Sequence, residues 1–220
     1  MSCMANSPDI SSRSCVVLLT GFGPFPGTPE NVSAALVRDV SRHARRDLKQ
    51  HRFHASILPT EWDAAPQRVA ALIARLHPSI ALHFGVAKDS QAFRIETRGL
   101  NSCRMIGDNT GRMPPAEQLI ADAPAAYDCG LPIDKIVQRL SDLHLPVTTS
   151  DDAGGYLCNS VLFHTLHACR HSEAPLTAGF IHVPNAFDAP GLSFDDAVRG
   201  SLEIIKIAIE DSVGAPLTVR

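Results

Sequence analysis

Leu145-Pro146-Val147-Thr148-Thr149-Ser150-Asp151-Asp152-Ala153-Gly154-Gly155-Tyr156-Leu157-Cys158-Asn159 is the stretch on which the reading of the chain turns. The apolar run Leu145–Thr149 reads as a short strand. Two glycines follow, where a sharp turn with positive φ costs least. Leu157, Val161, Leu162, Leu166 and Cys169 then recur near helical spacing. Strand, turn and helix follow one another, and Cys158 falls in the first turn of the helix. Unpaired N–H groups and the helix dipole favour negative charge there. A thiol so placed ionises more readily, and the thiolate is the nucleophile. Cysteine is also among the residues most often buried as inert filler. Its chemistry therefore depends on partners elsewhere in the chain.

Outward from this stretch the pattern repeats. Cys15–Gly21, Ser79–Gly85 and Leu176–Val183 are continuous apolar runs of the kind buried on both faces of a sheet. Phe53–Leu58 alternates like a strand, and Phe93–Thr97 is a further candidate. Helical spacing covers Ser33 to about Arg46. It covers a second segment opening at Thr60-Glu61-Trp62-Asp63 and stopped by His77-Pro78. It returns from Leu131-Pro132-Ile133 through Leu140, and from Ser193, with Asp196 as capping partner, to about Asp211. Arg98 to about Ala126 has weak periodicity and reads as a long, functional loop. Buried strands alternating with amphipathic helices predict an α/β fold: three layers, a largely parallel sheet, helices on both faces. One domain spans residues 15–220, preceded by a frayed polar tail over residues 1–14.

Lys plus Arg number 20 and Asp plus Glu 23, so the net charge is −3 with neutral histidine. That balance argues against a nucleic-acid footprint or a polybasic membrane contact. No apolar run approaches a membrane span in length. Six irregularly spaced cysteines without a C-x-x-C pair do not form a disulfide framework. With no export signal in the polar N-terminus, reduced thiols in a cytoplasm are expected.

Among ten histidines, His182 stands out, near the end of an apolar strand and followed by Val183-Pro184. One helix and one strand separate it from Cys158. In a parallel sheet that connection returns the chain to a neighbouring strand, at the edge where Cys158 lies. A Cys–His pair is then reasonable, the imidazole taking the thiol proton and later giving one to a leaving amine. Glu96, between apolar Ile95 and Thr97, is a candidate to orient the ring; a surface ion pair is the competing reading. His164, His167 and His171 share one helix face, which suits either a metal site or a solvated surface. Phe22 and Phe25 lie in a Gly/Pro-rich loop after the first strand. Pro24 and Pro26 rule out a dinucleotide-binding turn there, and the two rings read as pocket walls or as anchors to the core.

Thr20-Gly21-Phe22-Gly23-Pro24-Phe25 with Asn31 and Ser33, Ala153-Gly154-Gly155-Tyr156-Leu157-Cys158-Asn159, and Gly179-Phe180-Ile181-His182-Val183-Pro184 together resemble the signatures of the pyroglutamyl peptidase I family, also called pyrrolidone-carboxylate peptidases. The resemblance runs from about Val16 to Asp211. It implies a Cys158–His182–Glu96 triad, no metal or cofactor, and removal of an N-terminal pyroglutamate from small peptide substrates. It also implies a cytoplasmic homo-oligomer, tetramer or dimer. Phe22 and Phe25 would hold the flat lactam ring, with Asn31 alongside, and Arg104 would help backbone N–H groups stabilise the oxyanion. The chain departs from the family pattern at Val86, where glutamine is usual, and Arg104–Asp108 is one residue longer. Thr97-Arg98 and Asn185-Ala186-Phe187 are also unusual. The alternatives are a related cysteine amidase acting on another N-terminal cap or cyclic amide, and a non-catalytic binding protein on the same scaffold.

Overall fold

The first apolar run becomes a strand buried at all seven residues, Val16–Phe22, because it has neighbours on both edges and helices over both faces. The structure of the protein, a computed structural model, describes residues 13–25, 27–187 and 191–214; the expected tail lies almost wholly outside the described residues, as does Pro26. The chain runs β1 (Val16–Phe22), α1 (Val32–Asp47), β2 (Arg52–Leu58), α2 (Ala64–Leu76), β3 (Ile80–Ala87), β4 (Phe93–Glu96), β5 (Arg98–Leu100), β6 (Ala126–Asp128), α3 (Ile133–Asp142), β7 (Val147–Ser150), α4 (Leu157–His171), β8 (Thr177–Pro184) and α5 (Phe194–Gly214).

Six strands form one sheet in the order β2-β1-β3-β8-β4-β7. Alternate residues of β1 enter opposite layers. Val17 and Leu19 join the core beneath α1, α3 and α5, whereas Leu18 joins the core with α2 and α4. The result is the expected three-layer α/β architecture. Among the described residues no helix is long and apolar enough to cross a membrane.

The sheet departs from the expectation in one consequential respect. All neighbouring strands are parallel except β8 and β4, which pair antiparallel. Strand β4 also lies between β7 and β8. The simple crossover that was to return the chain from the strand before Cys158 to its parallel neighbour therefore does not exist. Instead α4 turns directly into β8, so the helix start stands over the strand end. Cys158 and His182 still meet, by a different route.

Two further boundaries are corrected. Residues 60–63 do not enter α2, which begins at Ala64. The Trp62 backbone N–H donates to Asp108 Oδ2 and its indole to the Ile106 carbonyl, while Thr60 Oγ1 donates to the Pro24 carbonyl. Tertiary partners have taken over the groups a helix start would use. The segment 98–126 is not loop throughout: its ends pair as the antiparallel strands β5 and β6, which pack on α4. Between them buried Asp108 accepts from the backbone of Thr110 and Arg112, and Asn101 ties to Ile120 and Ala123.

Asn159, one residue after the cysteine, anchors this segment to α4. Its side chain accepts from Leu100 N and donates to the Leu100 and Ser102 carbonyls, each at 2.8 Å. Replacing this buried amide by an apolar side chain removes its bonds to the Leu100 and Ser102 backbone. Asn159→Leu is expected to cost about 3 kcal/mol, read by urea denaturation, with faster amide exchange confined to residues 98–105.

Candidate active site

The register of β8 decides which side chains converge. His182 lies opposite Gly85 of β3 on one side and Arg94 of β4 on the other. Side chains two residues apart share a face, so Glu96 projects to the same side as His182, one diagonal step away. His182 Nδ1 donates to Glu96 Oε1 at 2.8 Å, and both side chains are buried. The second carboxylate oxygen, Oε2, is buried without a partner among the described residues. The carboxylate is thus held chiefly by the imidazole.

Cys158 is the second residue of α4, after a β-region N-cap at Tyr156 that offers no side-chain cap. The backbone N–H groups of this first turn have no intrahelical acceptor and stay available to a ligand. Gly154, at φ +82°, adopts the left-handed conformation that turns the chain into the helix, and its N–H donates to Asp152 Oδ1. The sulfur comes to rest over Gly85. A Cβ on that residue would lie 3.0 Å from Cys158 Sγ and 2.7 Å from the Phe180 ring. The missing side chain is the space the thiol occupies.

Burial by itself would push the His182 pKa down. The adjacent Cys158, by charge and hydrogen bonding, and the Glu96 carboxylate outweigh burial and raise it to about 9. With Nδ1 committed to Glu96, Nε2 is the nitrogen left for the thiol. The ring therefore keeps its proton near neutral pH and stands as a proton donor beside the sulfur.

Cys158 and His182 line a cavity of about 210 Å³ whose apolar walls include Phe22, Phe25, Val86 and Leu157. Asn31 lines it too, but its amide caps α1 through Ser33 N and donates to the Gly23 carbonyl. Arg104 is not among the lining residues. Its backbone N–H donates to the Gly155 carbonyl, its stem crosses Gly155, and its side chain is exposed. Larger grooves lie between α3 and α5 and between α2 and α4, neither holding the thiol.

No local pattern marks His83, which is fully buried in β3. Thr20 Oγ1 donates to its Nδ1 at 2.7 Å, and its Nε2 donates to Thr165 Oγ1 at 3.0 Å. The Thr165 hydroxyl in turn donates to the Val161 carbonyl, which fixes the direction of the chain. The ring is neutral, its pKa driven down to about 3 by burial, and it ties β1 and β3 to α4. The three histidines along α4 use Nδ1 locally: His164 on the Ser160 carbonyl, His167 on the Tyr127 hydroxyl, His171 on the His167 carbonyl. Among the described residues no group of three or more His, Cys, Asp or Glu is arranged to hold a metal ion.

Residues 15–213 match the family model described as pyroglutamyl peptidase. The chain belongs to the pyroglutamyl peptidase family. It is 35% identical over 205 residues to a pyrrolidone-carboxylate peptidase of Chromobacterium violaceum, covering 90% of this chain and 92% of that one. It is 32% identical to the Pyrococcus furiosus pyrrolidone-carboxylate peptidase, covering 88% and 96%. The crystal structure of Bacillus amyloliquefaciens pyroglutamyl peptidase I superposes with a TM-score of 0.82 at 26% identity, covering 90% of this chain and 98% of that one. As a member of this family the protein is a cysteine peptidase.

Two outcomes test the geometry without a substrate. In Glu96→Gln the anion that favours the imidazolium is gone, so the His182 pKa is expected to fall below its present value of about 9, read by NMR titration of the ring. Because the folded-state pKa lies above the ordinary 6.5, the ring's contribution to stability is complete below pH 6.5 and is lost as pH rises through about 9. In Gly85→Ala the added Cβ presses on the sulfur and on Phe180. Iodoacetamide labelling of Cys158 is expected to slow about tenfold while the far-UV spectrum is retained.

Proposed function

We propose that this protein is a cysteine exopeptidase that removes an N-terminal pyroglutamyl residue from small peptides through Cys158, His182 and Glu96. The observation that carries this reading is the buried 2.8 Å bond from His182 to Glu96 beside Cys158 in one small cavity. A cavity of about 210 Å³ suits one compact N-terminal residue rather than a length of peptide.

In the proposed reaction the Cys158 thiolate attacks the carbonyl carbon of the scissile amide. A C–S bond forms and the carbonyl π electrons move to oxygen, where N–H groups at the start of α4 donate hydrogen bonds to the negative charge until the pair returns to re-form the carbonyl. As the C–N bond breaks, His182 gives its Nε2 proton to the leaving amine. Water, deprotonated by the same nitrogen, then cleaves the thioester and returns the thiol. Glu96 holds the ring in the tautomer and orientation these transfers need. Phe22, Phe25 and Val86 pack against the ring of the bound residue. Asn31 acts on that wall indirectly, by fixing the Gly23 backbone. Arg104, exposed with its stem across Gly155 at the turn into α4, helps the N–H groups there stabilise the oxyanion.

The alternative of a related amidase with another N-terminal cap is favoured by one observation. Val86 lines the cavity and offers no hydrogen bond. A panel of capped aminomethylcoumarin amides separates the two. We further infer a cytoplasmic setting, supported by the free thiols among the described residues, Cys15, Cys103, Cys129, Cys158 and Cys169. Assembly as a dimer or tetramer is carried over from the family resemblance and is read by light scattering.

Under reducing conditions the protein is expected to hydrolyse pyroglutamyl-aminomethylcoumarin. Cys158→Ala should lower kcat by about 10⁴-fold or more and Glu96→Gln by about 10²–10⁴-fold. The alkaline limb of kcat/KM should fall near pH 9, where His182 loses its proton, and move to lower pH in Glu96→Gln. Full activity in Cys158→Ala would defeat the mechanism.

A further inference from the structure

The polar groups lining the cavity are mostly spent on the protein itself. Asn31 caps α1 and holds the Gly23 carbonyl, and the Thr60 hydroxyl donates to the Pro24 carbonyl. Cys158 and His182 are committed to the chemistry. Two lining side chains, Lys88 and Tyr156, carry donors with no bond to another described residue. The Tyr156 ring stands edge-on to Trp62, at 5.1 Å between centroids. Lys88 Nζ instead lies 5.8 Å from the centroid of Phe25, itself a wall of the cavity. The neighbouring carboxylate, Asp89, is taken by Arg94 at 3.3 Å. A cation is therefore mounted on one of the aromatic faces against which a flat ring would pack.

A five-membered ring at a peptide N-terminus comes in two forms of nearly equal shape. The lactam is neutral and presents a carbonyl oxygen. The saturated ring of proline has no such oxygen and carries a protonated secondary amine. Apolar walls such as Phe22, Phe25 and Val86 read shape, and shape hardly separates the two. A lysine ammonium separates them twice: it donates to the oxygen of one and repels the positive charge of the other.

We infer that Lys88 is the specificity-determining residue of the site, selecting an N-terminal lactam ring over a prolyl ring through its ammonium group. This inference rests on the pyroglutamyl reading proposed above and assigns the selectivity to one side chain. Lys88 acts in binding, so its loss should appear chiefly in KM for the lactam substrate, with kcat much less affected.

The test compares kcat/KM for pyroglutamyl- and prolyl-aminomethylcoumarin in wild type, Lys88→Met, Lys88→Arg and Lys88→Glu. Where prolyl turnover is too slow, Ki values of pyroglutamamide and prolinamide replace it. Lys88 is exposed, and unchanged Cys158 labelling rates will show that the site stays assembled. Lys88→Met is expected to lower the lactam-to-prolyl ratio by about 10–100-fold, the worth of a charged hydrogen bond. Lys88→Arg should keep the ratio within about threefold of wild type, since the charge and donors remain. Lys88→Glu should improve the absolute prolyl value over wild type, because attraction replaces repulsion. A ratio unchanged in Lys88→Met, with wild type active on the lactam amide, overturns the inference and leaves the peptidase reading intact. A shift in Tyr156→Phe with none in Lys88→Met also overturns it, moving the donor to the tyrosine. Wild type inactive on the lactam amide while Cys158 labels normally defeats the underlying reading, a result distinguishable from both.

Discussion

A carboxylate buried to zero exposure, with one hydrogen bond to its name among the described residues, is the constraint around which this molecule is arranged. An unpaired carboxylate in the interior costs several kcal/mol. The imidazolium of His182 offsets that cost, and Cys158 together with the carboxylate keeps the ring charged against the effect of burial. The sheet supplies the contact by an irregularity: β4 enters antiparallel beside β8, and the diagonal from His182 to Glu96 then spans one step across the pair.

The thiol is positioned by subtraction. Strand β3 runs through the same layer, and its residue opposite His182 is a glycine. A methyl group there would meet both Sγ and Phe180. The absent side chain leaves room for the helix start to descend onto the sheet at this point. Asn159, the next residue in α4, simultaneously holds the irregular segment that β5 and β6 close off. Placement of the thiol and loop anchoring thus share two consecutive residues. A change in the loop's attachment at Leu100 reaches Cys158 through one peptide unit.

Much of this was legible in the residues, and the part that was not has a common cause. Apolar runs and helical spacing located the strands and helices of the main sheet, because burial on one or both faces leaves a local periodic trace. The signatures around Cys158 and His182 carry a chain-long resemblance. Strand direction leaves no such trace. Nothing within Phe93–Glu96 says that it pairs antiparallel with a strand 86 residues away, so Cys158 and His182 meet by a path other than the expected crossover. Residues 60–63 carried helix-start chemistry but spent it on Asp108 and Pro24, partners invisible to a local window. Gly85 reads as a strand end, and the Phe180 ring and the sulfur above it explain why no side chain stands there.

His83 and His182 show how little the residue type decides. They sit on adjacent strands, both buried, and both rings neighbour Phe180, at 6.3 and 4.7 Å between centroids. Burial pushes each toward neutrality. His83 has two threonine hydroxyls for company, and a hydroxyl chain ending on a carbonyl can satisfy a neutral ring but adds no charge to oppose desolvation; its pKa is carried down to about 3. His182 has a carboxylate and a thiol, and its pKa goes the other way, to about 9. The difference sorts the two rings into different work. The neutral one cannot move a proton near neutral pH and serves as a fixed tie between the sheet and α4. The charged one holds a proton beside Cys158, which lines the cavity. Exchanging their partners, rather than their positions, would exchange their roles.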